Sequence, residues 1–93
     1  MDTLFELIPS IVDSLSSQFT THELIIALAQ KHQREYIEAL YEHRKSERPF
    51  GTIHSKIGKY LKRTNFVRFV RLDEVDKDIF GQASKNALWE KIP

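Results

Sequence analysis

The 93-residue chain contains no cysteine. That excludes a disulfide framework, a thiolate nucleophile and any cysteine-ligated metal, and it suits a cytoplasmic protein. No run approaches the roughly 20 apolar residues needed to span a bilayer, so no membrane partner is expected. Met1-Asp2-Thr3-Leu4-Phe5-Glu6 opens on acids where a secretory signal carries a basic region, and no targeting segment is expected. There is no GxSxG elbow and no phosphate-binding glycine loop, and Ser14, Ser16 and Ser17 have no identifiable base. His22, His32, His43 and His54 stand ten or eleven residues apart, with no HxxxH or HxH spacing. The expectation is therefore no catalytic residue, no metal, no cofactor and no small-molecule substrate. Internal repeats, linkers and low-complexity tracts are also missing. The length bounds a single small domain, residues 1–93, with a modest core.

What the chain does have is ordinary composition and an unusual distribution of charge. The apolar fraction of 41% and charged fraction of 29% are those of a globular protein. The net charge of +1 hides three blocks. Residues 1–43 carry seven acids against Lys31 and Arg34, net −5. Residues 44–71 carry nine bases against Glu47, net +8, and residues 72–93 return to net −2. A positive middle in a nearly neutral chain is an electrostatic footprint for phosphate, or for an acidic protein surface.

Residues 3–17 read as a helix with Leu4, Phe5, Leu7, Ile8, Ile11, Val12 and Leu15 on a broad stripe. Pro9 within it predicts a kink or restart near Ile8. The stripe is wide enough for a core and a partner, so a homodimer through this helix is a further expectation. Thr20 with Glu23 fits a capping box, and Phe19 can close a hydrophobic staple on Leu24. A second helix follows to about Lys31. Lys31-His32-Gln33-Arg34 has no apolar member, consistent with a bend before Tyr36 or with one exposed turn of a continuous helix. Arg44–Arg48 is a charged connector ended by Pro49. Beyond Asn65 the period changes: residues 66–72 read as a strand, 73–85 as a polar loop anchored by Ile79 and Phe80, and 86–92 as a closing strand.

Between connector and strand lies the stretch from Phe50 to Arg63. At 100° per residue Ile53, Ile57, Tyr60, Leu61 and Thr64 share one stripe, opposite Thr52, Ser55, Lys59, Lys62 and Arg63. Thr52 can cap its first turn. Such a helix docks on a core with one face and meets a polyanion with the other. It holds no Asn or Gln to read adenine, so phosphate contact is the expected role of its lysines. Gly58 either permits close approach of a neighbour or is a tolerated helix glycine. Tyr60 and Trp89 either stack on bases or pack in the core.

The order helix, short Phe19-Thr20 extension, helix, basic helix, strand, loop, strand resembles the winged helix-turn-helix superfamily. The likeness is carried by Phe19-Thr20-Thr21-His22-Glu23-Leu24 and by His54-Ser55-Lys56-Ile57-Gly58-Lys59-Tyr60-Leu61 in the place of the recognition helix. It implies an α+β fold of three or four helices followed by a C-terminal β-hairpin wing. Because Lys31 to Pro49 exceeds a tight turn, an additional helix is expected there. The likeness also implies double-stranded DNA as partner, with the helix in the major groove and the wing beside it. By position, Thr52, Ser55, Lys56, Lys59, Lys62 and Arg63 would face DNA, with Lys85 and Asn86, and beside them Lys77, Gln82 and Ser84, in the wing. Asp73, Glu74, Asp76 and Asp78 in that wing would repel phosphate. The implied function is a small DNA-binding protein, a transcription regulator or an accessory to a DNA-acting machine. The alternative is a protein-interaction module whose basic block meets an acidic partner.

Overall fold

A computed structural model of the chain describes residues 1–77 and 80–93, with backbone alone for 73–76 and 83–85. The elements run α1 (Asp2–Ser14), β1 (Gln18–Thr20), α2 (Thr21–Lys31), α3 (Gln33–Glu42), α4 (Pro49–Arg63), β2 (Val67–Lys77) and β3 (Ala83–Lys91). The architecture is α+β: four helices and a three-stranded antiparallel sheet in the order β1-β3-β2 among the described residues. No described helix is long and apolar enough to cross a membrane.

The helix boundaries follow from local chemistry. Thr20 accepts the backbone N–H of Glu23 at 3.1 Å, and the Glu23 carboxylate accepts that of Thr20 at 3.0 Å, so two otherwise orphaned donors of α2 are satisfied. The Lys31–Arg34 stretch resolves as a true break: His32 leaves helical geometry and a separate α3 begins at Gln33. That is the additional helix expected between Lys31 and Pro49. α4 starts three residues earlier than its apolar spacing predicts. Pro49 sits at the first position, where its missing N–H removes no helical hydrogen bond. Thr52 is thus inside the first turn and is not the cap; its hydroxyl lies 2.8 Å from that of Ser46. α1 runs unbroken through Pro9, which stays exposed, and ends at Ser14. Its last turn contains no basic residue, and Lys91 of β3 takes that role by donating to the Leu15 and Asp13 carbonyls at 2.6 and 3.2 Å.

Residues 67–71 pair with 88–91 as the sequence suggests, Val67 opposite Lys91 and Phe69 opposite Trp89. β2 then continues to Lys77 through two register irregularities, so the expected loop from Asp73 is shorter than its polarity implies. Polar side chains do not end a ladder when the strand is an edge with a solvated face. β1 adds to the other side of β3, with Phe19 opposite Trp89. Glu90 ties the three strands together, accepting from Gln18 at 3.0 Å and pairing with Arg68.

The core lies between α1, α2, α4 and the sheet. Leu4, Ile8, Ile11, Phe19, Leu24, Ile25, Leu28, Ile53, Ile57, Leu61 and Trp89 are fully buried. The indole N–H of Trp89 donates to Thr21 Oγ1 at 2.8 Å, so a polar atom buried with the ring is satisfied. Trp89 is therefore a core residue and offers no base-stacking face. On and beside α1, Leu4, Ile8, Ile11 and Val12 are buried, while Met1, Phe5, Leu7 and Leu15 are partly buried against the core.

Candidate nucleic-acid interface

The candidate site is built on α4. Ile53, Ile57 and Leu61 are buried at i, i+4 and i+8 and fasten one side of the helix to the core. The same geometry turns Ser55, Lys56, Lys59, Lys62 and Arg63 to solvent, all of them exposed. Arg48 and Gly51, with Thr52, Ser55, Lys56 and Lys59, line an open groove of about 460 Å³ along the N-terminal half of the helix. A second groove of about 550 Å³ adjoins it, lined by Lys56, Lys59, Lys62, Arg63 and, from α1, Met1 and Phe5. Lys56 and Lys59 belong to both, so the surface is continuous.

None of Arg48, Lys56, Lys59, Lys62 and Arg63 is in an ion pair among the described residues. Lys56 is held by an imidazole: its ammonium lies 2.7 Å from Nε2 of His43, whose Nδ1 is 2.7 Å from the Ala39 carbonyl. This fixes one lysine to α3 without cancelling its charge. By contrast Arg68, in the same basic block, pairs with Glu90 on the sheet. The block therefore divides. Its α4 members gather on one face, and one strand member is neutralised.

An aromatic cluster sets the start of α4 against α3. Tyr36 is buried, and its hydroxyl lies 2.6 Å from His54 Nε2. Phe50 approaches the Tyr36 and His54 rings at 6.4 and 6.2 Å, and Phe80 meets Phe50 edge-on at 5.1 Å. Burial pushes the Tyr36 phenol up to about 12. Phe80 thus anchors the β2–β3 turn to the first turn of α4, as its sequence position suggests; Ile79, its expected companion, lies outside the described residues. Gly81 beside it takes φ 77°, a conformation that glycine adopts at no steric cost.

Comparison with protein-family models, curated proteins and solved structures returns no match.

Of the wing residues, Asn86 is not presented to a ligand: it is half-buried, and its Oδ1 accepts the His22 backbone N–H at 3.2 Å at the start of α2. A short amide close to a helix N-terminus finds an orphan donor there, which sequence position alone does not reveal. The side chains of Lys85 and Ser84 lie outside the described residues, as do those of Asp73, Glu74, Asp76 and Asp78. Lys77 and Gln82 are exposed. Gly58 has open space where a Cβ would project, so no neighbour requires a glycine there.

Two lining residues, Met1 and Phe5, escape a reading centred on α4. Phe5 stacks on Tyr60 with centroids 4.5 Å apart and planes 7° from parallel. The signal was the width of the apolar stripe on α1, which exceeds what Leu4, Ile8, Ile11 and Val12 need to fill the core.

Proposed function

We propose that this chain is a small winged-helix-like DNA-binding protein that holds duplex through phosphate contacts along α4. The observation that carries the reading is the gathering of Arg48, Lys56, Lys59, Lys62 and Arg63 on adjoining grooves of one helix face, with no carboxylate paired to any of them among the described residues. Cations left without an internal counter-charge on one continuous surface suit a polyanion, and hydrogen-bonded phosphate oxygens position a protein on duplex without specifying bases. The β1-β3-β2 sheet, the position of β1 between α1 and α2, and the basic helix just before β2 support the winged-helix part of the reading. Ser55 is the short exposed side chain at the middle of the face and would be the one to influence preference among sequences. A role in transcription regulation or beside another DNA-acting machine fits a domain of this size.

The test is duplex affinity across salt. Five phosphate contacts at about 0.9 each give a log–log slope near −4.5, so affinity falls on the order of 500-fold between about 50 and 200 mM salt. Lys59→Ala with Lys62→Ala removes two contacts; the slope drops to about −2.7 and the loss to about 40-fold. Circular dichroism verifies folding. Identical slopes for two folded proteins would take α4 out of the interface. Failure of the wild type to bind any duplex, with binding to an acidic protein surface instead, would make the domain a protein-interaction module.

A further inference from the structure

Duplex binding explains the cations of α4 but not the second groove. Its about 550 Å³ lies within the range of roughly 300–1,000 Å³ that small ligands occupy. Its two sides differ in chemistry: Met1 and Phe5 come from the first turns of α1, whereas Lys56, Lys59, Lys62 and Arg63 come from α4. Phe5 is half-buried, with its ring laid against Tyr60 at 4.5 Å.

A paired duplex presents phosphate and sugar to such a surface and has no use for an aromatic floor, because its bases are already stacked on each other. A phosphate ion alone would meet the lysines and leave Phe5 wet. A purely apolar ligand would cover Phe5 and Met1 while desolvating four cations that have no counter-charge, which is costly. The ligand that satisfies both sides has a flat apolar face and phosphate beside it. An unpaired nucleotide has that chemistry, and aromatic side chains set beside basic ones are the means by which single strands are held irrespective of sequence.

We propose that the groove between α1 and α4 seats an unpaired nucleotide of a DNA strand, its base against Phe5 and its flanking phosphates on the α4 cations. A base laid on Phe5 extends a stack that Phe5 and Tyr60 have already begun. Lys56 and Lys59 line both grooves, so a strand gripped along the N-terminal half of α4 continues into the aromatic groove without leaving the basic face. The protein then prefers duplex that carries a single-stranded tail over blunt duplex. This inference rests on the phosphate-binding reading of α4 and adds the class of DNA it selects.

The experiment compares the full chain on a blunt duplex and on the same duplex with a short oligothymidine tail containing 2-aminopurine, whose fluorescence is quenched by stacking. The expected result is an affinity about fivefold or more higher for the tailed duplex, with quenching on binding. Phe5→Leu keeps apolar bulk but removes the flat ring; it should bind blunt duplex as the wild type does and lose the preference. Equal wild-type affinities for tailed and blunt duplex, without quenching, overturn the inference and leave the α4 reading standing. So does a folded Phe5→Leu protein that retains the preference. The wild-type quenching measurement decides the matter even if Phe5→Leu does not fold. Binding of neither DNA overturns both readings at once. Saturable binding of dodecanoate together with equal tailed and blunt affinities assigns the groove to an amphipathic carboxylate and also overturns the inference.

Discussion

Tyr36→Phe removes one oxygen from the contact between α3 and α4 and makes a prediction with a change of sign in it. The Tyr36 side chain is nearly out of water, at 6% exposure, and its hydroxyl shares a hydrogen bond of 2.6 Å with His54 Nε2. At neutral pH the substitution loses that bond, about 1 kcal/mol, and leaves a half-buried imidazole nitrogen to find another partner. The alkaline behaviour is opposite. The phenol ionises near 10 in the unfolded chain and only at about 12 in the folded one. Below pH 10 both states hold the proton and stability is unaffected. Between 10 and 12 the unfolded chain releases it while the fold retains it, and wild-type stability falls by about 1.4 kcal/mol per pH unit, on the order of 2 to 3 kcal/mol in all. The phenylalanine variant has no such proton. It should be less stable than wild type at neutral pH, converge with it beyond about pH 10 and overtake it before about 12. Urea unfolding followed by circular dichroism, at neutral pH and in steps above about pH 9, reads both slopes. Parallel stability curves for the two proteins across that range would refute the account of a buried, protonated phenol.

Three further substitutions test the helices themselves. Gly58→Ala should raise stability by up to about 1 kcal/mol, because a helix-interior glycine costs about that much and the added methyl meets nothing within 4 Å; a rise of several degrees in the melting temperature is the expected reading, and a fall would mean that the glycine is required. Thr20→Ala should cost about 1 kcal/mol because the Glu23 backbone N–H loses its acceptor, and Glu23→Ala should cost a similar amount because the Thr20 N–H loses its own; unchanged urea midpoints for both variants would contradict the reciprocal cap.

The parts of the fold that were legible in the sequence are those with a local cause. The capping box at Thr20 and Glu23 and the spacing of Ile53, Ile57 and Leu61 each involve residues within about two turns of one another, whereas Pro49, which reads as the end of the connector, is the first residue of α4. The period change after Asn65 announces β2 for the same reason. What could not be read is fixed by distant partners. β1 is three residues long, too short for any alternation, and exists as a strand because Phe19 and Thr20 lie against Trp89 and Leu88. Asp73 to Lys77 looks like loop because four of its five residues are charged, yet the ladder to β3 carries it on. Among the site residues, the exposed lysines of α4 followed from periodicity. Phe5 belongs to the same surface only because α1 crosses α4, and Asn86 leaves it only because α2 starts nearby.

The charges of α4 can be weighed against the bland explanation that they merely solvate a helix. Three acids outside it have structural tasks: Glu23 caps α2, Glu42 holds the amino group of Met1 at 3.1 Å, and Glu90 joins the strands. For α4, the helix dipole accounts for Lys62 and Arg63 in the last turn, where cations are stabilised by about 0.3–1 kcal/mol. It does not account for Arg48, which flanks the positive end. Nor does it account for Lys56 and Lys59 in the interior, where Lys59 also stands four residues before Arg63, a like-charge spacing that costs a few tenths of a kcal/mol. Loss of Lys59 therefore relieves repulsion, and loss of Lys62 forfeits a dipole contribution of similar size. The double alanine variant should keep its stability within about 0.5 kcal/mol of wild type while its duplex affinity and salt slope fall. A solvating helix face would show neither loss. Residues that cost the fold slightly and have no internal counter-charge are the ones whose retention points outward, to a ligand.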